Sequence, residues 1–134
     1  MHPSPSLSVV MIAHHESDRI ERSLRSVVPI AHEIIVVIQD PAVAHRFGAR
    51  VEHRKWTGFA DQKNYALSLA RHEWILQLDA DEVLTDSLQT GITDFLCGDN
   101  DGMSAACFAG RDFFHGRWLR FGTSPRFWQN RLVR

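Results

Sequence analysis

The chain has 134 residues, of which 44% are hydrophobic and 23% charged, and its formal net charge is −1. This length suits one domain with its own core, and the composition is that of an ordinary soluble globular protein. The near-neutral net charge implies no basic field for nucleic acid, so no nucleic-acid partner is expected. The first apolar run, residues 7–13, is far shorter than the ~18 residues of a membrane span. We expect a cytoplasmic protein, with peripheral contact at the inner face of the membrane left open.

Apolar residues recur along the chain with two different spacings. Short runs rich in β-branched residues predict strands buried on both faces, and apolar residues three or four positions apart predict helices. Ser17 is a candidate N-cap for the first helix, and Thr85 or Asp86 can cap the last one. In chain order the prediction is a strand at 7–13, a helix at 17–28, a strand at 33–38, a short helical segment at 42–47, a strand at 50–54, a helix at 61–70, a strand at 74–78 and a helix at 85–96.

The alternation of strands and helices predicts an α/β fold with a mostly parallel sheet flanked by helices. After residue 102 the pattern changes to short strand-like pieces mixed with arginine and aromatic residues. In parallel α/β folds, ligands bind beyond the carboxyl ends of the strands. The residues that follow each strand are therefore the first candidates for a functional site.

Asp79 and Asp81 directly follow the predicted buried strand at 74–78. The strand would deliver both carboxylates to its exposed carboxyl end, where oxygen ligands suit Mg²⁺ or Mn²⁺ bridging to substrate phosphates. A metal held there would neutralise the charge that develops on a nucleoside diphosphate leaving group. The alternative is structural, because acidic residues before a helix also interact favourably with its dipole.

Three short motifs occur in order across the middle of the chain. They are Trp56-Thr57-Gly58-Phe59, Gln62-Lys63-Asn64 and Asp79-Ala80-Asp81-Glu82. In this order they resemble glycosyltransferase family 2, and within it the bacterial lipopolysaccharide-core β-1,4-glucosyltransferase group. The resemblance covers nearly the whole chain, is strongest over residues 54–83 and returns at residues 114–122. The ordered combination is specific, although no single motif is.

The resemblance implies a GT-A-like, Rossmann-type fold that forms one nucleotide-sugar-binding domain over residues 1–134. That fold would be incomplete at its C-terminus, with the acceptor-side region beginning at about residue 103. The implied reaction is inverting transfer of a hexose from a nucleotide sugar, UDP-glucose-like, to a lipopolysaccharide-core or other glycan acceptor, which could be lipid-linked. The implied cofactor is a divalent metal, Mn²⁺ or Mg²⁺.

Site residues follow from the same resemblance, residue by residue. Asp81 would bind the metal, and Asp79 would lie against the ribose or join the metal shell. Lys63 would approach the nucleotide or its diphosphate, where a cationic point charge is useful. Ala13 and Glu16 stand at the end of the first strand, where family members bind the nucleotide base.

Aromatic and histidine residues near these positions have a more open interpretation. Trp56 and Phe59 could line the sugar pocket or pack in the core. His14 and His15 are adjacent at a strand end and would point apart, so we interpret them as surface histidines.

The chain departs from the family pattern at three places. Ile38 stands where an aspartate usually reads the uracil, the loop after it is short, and Asp40 could substitute only after a shift in register. At the end of the first strand, Ala13 and His15 replace the usual threonine and asparagine. Asp112 is the only acidic residue after Asp101, and no catalytic base is assigned. The arginines of this C-terminal part either meet an anionic acceptor or form a solvated face: Arg111, Arg117, Arg120, Arg126 and Arg131.

Two other functions remain as alternatives. The first is a degenerate, non-catalytic nucleotide-sugar-binding or structural module, which would keep the fold and explain Ile38. The second is a haloacid-dehalogenase-like phosphatase, with Asp79 as nucleophile and Asp81 as acid and base. That chemistry normally uses the first strand of its fold and a lysine further downstream, and no lysine follows Lys63.

Overall fold

The computed structural model describes residues 5–14, 17–38, 47–110, 113–114, 117–118 and 127–134. Within these ranges no helix is both long enough and apolar enough to cross a bilayer. The elements, in chain order, are β1 (Leu7–Ala13), α1 (Ser17–Val27), β2 (Glu33–Ile38), β3 (Arg50–His53), α2 (Phe59–Leu69), β4 (Trp74–Asp79), α3 (Asp86–Cys97), β5 (Ala105–Gly110), β6 (Phe113–Phe114), β7 (Arg117–Trp118) and β8 (Phe127–Val133).

A six-stranded sheet in the order β3-β2-β1-β4-β8-β5 organises the fold. β1 runs parallel to its neighbours β2 and β4, and β3 extends the parallel part beyond β2. β8 runs antiparallel to both β4 and β5, while β6 and β7 form a separate two-stranded sheet. The predicted mostly parallel sheet flanked by helices is confirmed.

β1 is buried along its whole length because helices cover both faces of the sheet. Side chains of a strand alternate between the two faces. The odd-numbered positions of β1 join a large apolar cluster that includes Ile20 of α1 and Ile92 of α3. Val10 and Ile12 join a smaller cluster with Ala66 of α2. The sheet therefore lies between α1 and α3 on one face and α2 on the other.

Several predicted boundaries shift by one or two residues. Ser17 is the first helical residue of α1 rather than the residue before the helix. α2 begins at Phe59, two residues before the predicted start, and β4 extends to Asp79. The predicted cap of α3 is confirmed for Thr85, whose hydroxyl accepts a hydrogen bond of 3.2 Å from the amide of Leu88. Positions 42–46 of the predicted short helical segment lie outside the described residues.

A carboxylate ties together the amino ends of three parallel strands. Glu33 at the start of β2 accepts a 2.7 Å hydrogen bond from the Ser8 hydroxyl and a 3.1 Å bond from the Arg71 amide. The Ser8 oxygen in turn accepts a 3.2 Å bond from the His72 amide. Burial alone would raise the pKa of Glu33, but these hydrogen bonds and the charges of Arg71 and His72 hold it below its ordinary value.

The lowered pKa of Glu33 predicts a pH-dependent contribution to stability. Because the pKa of Glu33 is lower in the folded than in the unfolded chain, its carboxylate stabilises the fold at pH values above the unfolded pKa of about 4.3. This stabilisation is lost as the pH falls through the folded pKa. We expect Glu33→Gln to lower the free energy of unfolding by about 1–2 kcal/mol at pH 7, and the difference from wild type to shrink as the pH falls below the unfolded pKa of about 4.3. Urea unfolding at several pH values measures this.

Glu21→Gln is the matched control, because Glu21 makes an exposed pair with Arg25 on α1. Such exposed pairs contribute little, so this variant should change stability by less than about 0.5 kcal/mol at pH 7. A Glu33→Gln difference that does not shrink as the pH falls below about 4.3 would contradict the assigned role of the carboxylate.

Candidate functional site

The direction of chain winding reverses between β1 and β4. β2 and β3 lie on one side of β1, whereas β4, β8 and β5 lie on the other. At such a switch point the connections after the two strands leave in opposite directions, and a crevice opens beyond the carboxyl ends. The structure has a cleft of about 180 Å³ at this place, lined by Ile12, Ala13, His14, Trp56, Phe59, Asp79, Ala80 and Asp81.

The end of β4 forms a tight acidic turn. The Asp79 amide donates a 2.8 Å hydrogen bond to Oε1 of Glu82, and the Glu82 amide donates a 3.0 Å bond to the Asp79 carbonyl. The Ser23 hydroxyl of α1 donates to the same carbonyl at 3.3 Å. Ala80 is buried in the large core cluster, whereas Asp81 is exposed. The turn is thus anchored through Asp79, Ala80 and Glu82, and it presents Asp81 to solvent at the cleft.

Two cations meet the carboxylate of Asp79. Nζ of Lys63 lies 3.1 Å from Oδ1, and Nη2 of Arg131 lies 3.3 Å from Oδ2. The same Arg131 nitrogen lies 3.1 Å from Oε1 of Glu82. Lys63 comes from α2 and Arg131 from β8, so the carboxylate links elements from different parts of the chain. Both oxygens of Asp79 are therefore engaged by positive charge.

The neighbouring Glu82 carboxyl lies in a partly desolvated position. Burial raises the pKa of Glu82 above its ordinary value, while the hydrogen bond from the Asp79 amide and the Arg131 guanidinium oppose that rise. The negative charges of Asp79 and Asp81 add to it. Arg131 therefore supports the ionised form of a carboxyl that its surroundings disfavour.

Aromatic rings line the cleft together with the acidic turn. The imidazole of His14 stacks on Trp56 with centroids 4.5 Å apart, and Trp56 meets Phe59 edge to face at 4.8 Å. His14 is half-buried in this stack, so its interpretation as a surface histidine is wrong. Phe59 is 68% exposed although it is a large apolar residue. It lies one helical turn before Lys63, so both side chains project from the same side of α2.

Four of the five predicted substrate- or metal-binding residues lie together at this place. Ala13, Asp79 and Asp81 line the cleft, and Lys63 contacts Asp79. Ala13 is 2% exposed, so it adds wall rather than a polar contact. The fifth residue, Glu16, lies outside the described residues, as do His15, Asp40 and Asp112. Ile38 is 2% exposed and belongs to the large core cluster, so its side chain packs in the interior.

Three contributors to the site are not identified by the sequence patterns. Arg131 appears there only as one of several C-terminal arginines, and Glu82 only as the last residue of the Asp79-Ala80-Asp81-Glu82 motif, without a role of its own. Ser23 carries no signal at all, because a serine inside an amphipathic helix is common. Their contacts with Asp79 span 52 residues for Arg131 and 56 for Ser23. Only the tertiary fold brings such distant positions together.

Among the residues that the structure describes, the carboxylates at the cleft could bind a divalent metal only together with ligands from outside the protein. Within the described ranges there is no group of three or more His, Cys, Asp or Glu side chains that could hold one. Mg²⁺ and Mn²⁺ often bind proteins through one or two carboxylates and take their other oxygens from water and substrate phosphates. Asp81, exposed at the cleft beside Asp79, fits that mode. The residues therefore suit a metal that arrives with a diphosphate rather than a preformed protein cage.

Comparison with known proteins gives the family. The sequence matches the family model described as glycosyl transferase family 2 over residues 8–132. The chain belongs to this family. It is 36% identical over 99 residues to an uncharacterized glycosyltransferase of Rickettsia bellii. This match covers 70% of the chain and 34% of that protein. It is 40% identical over 91 residues to one of Rickettsia felis, covering 64% and 32%. The chain spans about a third of the length of these curated relatives.

Solved structures share the fold of this family 2 chain. Mannosyl-3-phosphoglycerate synthase from Rubrobacter xylanophilus matches with a TM-score of 0.62 and 21% identity, covering 75% of the chain and 38% of that structure. Glucosyl-3-phosphoglycerate synthase from Mycobacterium tuberculosis, crystallised with Mn²⁺, UDP and phosphoglyceric acid, matches with a TM-score of 0.60 and 22% identity, covering 75% and 42%. These are GT-A glycosyltransferase structures, and the sheet described above has their architecture.

Gly58 sets the entry of α2 beside the cleft, and this yields a stability prediction. Its φ of 112° and ψ of 158° lie in a region that is essentially restricted to glycine. We expect Gly58→Ala to lower the free energy of unfolding by about 1–3 kcal/mol through backbone strain, although no atom lies within 4 Å of the added Cβ. Denaturant unfolding measures the change.

Gly91 provides the control, because it lies inside α3, is exposed and also has nothing within 4 Å of an added Cβ. Gly91→Ala should raise stability by about 0.5–1 kcal/mol, since alanine favours helix. Equal effects of the two substitutions would show that the backbone at Gly58 is not strained for alanine.

Proposed function

We propose that residues 1–134 form one nucleotide-sugar-binding domain of an inverting glycosyltransferase, with an acceptor-side region that begins near residue 103. The donor would be a UDP-hexose, UDP-glucose-like, and the acceptor a lipopolysaccharide-core or other glycan, which could be lipid-linked. The supporting observation is the pair Asp79 and Asp81 at the carboxyl end of β4, beside the cleft at the switch point of the sheet.

The proposed reaction is a direct displacement at the anomeric carbon. The acceptor hydroxyl oxygen would form a bond to that carbon while the bond to the diphosphate oxygen breaks, and the hydroxyl proton would go to a base that this proposal does not assign. A bound divalent ion would stabilise the charge on the departing diphosphate. Asp81 would hold that ion, and Lys63 would add a positive charge toward the phosphates.

Lys63 is suitably placed for this role. Its side chain is 31% exposed, and its ammonium group lies 3.1 Å from Oδ1 of Asp79 at the cleft. A lysine stem is flexible, so the ammonium group can turn from Asp79 toward a phosphate without movement of the helix. Asp79 would then be released on one side and could accept a hydrogen bond from a ribose hydroxyl.

Two further observations agree with this donor. The Mycobacterium tuberculosis synthase, which shares the fold, was crystallised with Mn²⁺ and UDP and with Mg²⁺ and UDP. In this chain, the exposed ring of Phe59 offers an apolar face in the same cleft as the carboxylates, and Trp56 and His14 back it. Such a surface suits the flat face of a base or of a sugar ring. An acceptor made at the inner face of the membrane would agree with a cytoplasmic enzyme.

A non-catalytic binding module is the second candidate, and one observation favours it. Ile38 is buried in the core at the position where the family usually has an aspartate that reads the uracil. A module of this kind could bind the sugar diphosphate with low base selectivity, or bind no nucleotide at all. Donor titration separates the transferase from a module that binds no nucleotide.

The first test is calorimetric titration of the chain with UDP, with Mn²⁺ and with EDTA. We expect UDP binding that depends on Mn²⁺, and Asp81→Asn should weaken it at least about 10-fold, because a neutral amide oxygen binds a divalent ion less strongly than a charged carboxylate does. Asp94→Asn, an exposed aspartate on α3, is the matched control and should bind within about 2-fold of wild type. No binding of UDP at millimolar concentration would reject the transferase and favour the module.

The second test concerns the exposed ring at the cleft. Phe59→Ala should weaken UDP-glucose binding by about 2- to 10-fold, the value of one aromatic contact. Its stability should change by only about 0.5 kcal/mol, because the ring is mostly exposed. Met103→Ala, which removes an exposed apolar residue just before β5, is the control and should bind as wild type. Equal binding by both variants would show that Phe59 does not touch the donor.

A further inference from the structure

Arg131 and Lys63 both contact Asp79, but they differ in exposure and in number of partners. The Arg131 side chain is 14% exposed and its Nη2 atom touches the carboxylates of both Asp79 and Glu82. The Lys63 side chain is 31% exposed, and its ammonium group contacts Asp79. A largely buried cation shared by two carboxylates is poorly placed to reach a ligand. It is well placed to fix the carboxylates themselves.

The strand that carries Arg131 fixes its position relative to the acidic turn. β8 pairs antiparallel with β4 through Leu132 opposite Leu76 and Val133 opposite Ile75. Arg131 is the next residue of β8 toward the carboxyl end of β4. Its guanidinium group therefore approaches the acidic turn from an ordered sheet strand rather than from a flexible loop.

The charges of the turn explain what this cation does. Asp79, Asp81 and Glu82 place three carboxylates within four residues, and like charges this close repel one another. Without Arg131, the partly buried Glu82 would lose its cationic partner, and an uncompensated charge in such a place is strongly unfavourable. The turn would then relax by moving Glu82 or Asp79 toward water, which would carry Asp81 with it.

We propose that Arg131 is a positioning residue that acts through Asp79 and Glu82 to hold Asp81 at the cleft, whereas Lys63 is the cation that meets the diphosphate. The inference rests on the proposed function, because it assigns to Arg131 an effect on metal-dependent donor binding. The Asp79 carboxylate would then lie between Arg131, a fixed internal cation at Oδ2, and Lys63, a cation at Oδ1 that can turn to the ligand.

The experiment compares Arg131→Met, Arg131→Lys and Arg134→Met with the wild-type chain. Methionine keeps an apolar stem and removes the charge, and lysine keeps the charge. Arg134 is the control, because it lies at the other end of the β4–β8 pair, where it contacts Glu73 and covers the Trp74 ring. Three quantities are measured for each variant: UDP affinity with Mn²⁺, UDP affinity in EDTA, and Mn²⁺ affinity by electron paramagnetic resonance.

Mn²⁺ increases UDP affinity by a certain factor in the wild type, and we expect this gain to be at least about 10-fold smaller in Arg131→Met. Arg131→Lys should restore the gain to within about 3-fold of wild type, because a single nitrogen makes both contacts. Arg134→Met should keep the full gain. Lys63→Met should instead weaken UDP binding with and without Mn²⁺, since its charge acts on the phosphates directly.

A double-mutant cycle tests the route of the effect. If Arg131 acts through Glu82, Glu82→Gln and Arg131→Met together should cost clearly less than the sum of the two single changes. Urea unfolding of each variant gives the folded fraction, to which affinities are referred. If Arg131→Met is too unstable to assay, the same double-mutant cycle is measured with Arg131→Lys and Glu82→Gln.

The outcomes distinguish a failure of the positioning role of Arg131 from a failure of the proposed function. Wild-type binding that depends on Mn²⁺, with the same gain in Arg131→Met, would overturn the positioning role and leave the donor site intact. Tighter Mn²⁺ binding by Arg131→Met would also overturn it, because Arg131 would then only compete with the metal by charge. A wild-type chain without Mn²⁺-dependent UDP binding would overturn the proposed function and this inference together.

Discussion

The parallel pairing of β1 with β4 is the constraint on which the rest of this structure depends. β1 is buried along its length, and its alternating side chains join both apolar clusters. Once the hydrophobic effect fixes β1 between the helical layers, its register with β4 places Ile12 opposite Asp79. The carboxyl ends of both strands then meet at the point where the winding reverses, and the cleft lies at that reversal.

The charges at the cleft are balanced by elements distant in sequence. Three carboxylates end β4, and positive groups from α2 and β8 meet them. A carboxylate cluster of this density would be unstable alone, and a fully neutralised one would have little affinity for a divalent ion. The structure lies between these limits, because Asp79 and Glu82 are engaged by cations whereas Asp81 is exposed. The positions of the cations thus leave Asp81 as the exposed carboxylate of the turn, the one that the proposed function assigns to the metal.

Local patterns predicted the fold well because they record burial directly. β1 and β2 have the predicted bounds, since continuous β-branched runs occur where helices cover both sheet faces. The place of the acid pair at the carboxyl end of β4 was also predictable, because a strand end is a local feature, whereas Lys63 was indicated only by the resemblance to family 2. Arg131, Glu82 and the stacked His14 were not predictable, since their roles come from contacts that form only when distant segments pack. Sequence spacing within a segment has no information about a partner on an antiparallel strand tens of residues away.

The two cations at Asp79 come from different kinds of element, Lys63 from helix α2 and Arg131 from sheet strand β8. This difference affects which parts of the proposed donor site can change by substitution. α2 follows its glycine-containing entry loop and brings the exposed ring of Phe59 and the ammonium group of Lys63 to the cleft. In the proposed function, substitutions of these side chains would alter ligand contacts while the core clusters persist. β8 is hydrogen-bonded to β4 on one side and to β5 on the other. A change at Arg131 is therefore transmitted to the acidic turn from a fixed position. Ligand selectivity is thus expected to vary through α2, while the geometry that any such ligand meets is set by the sheet.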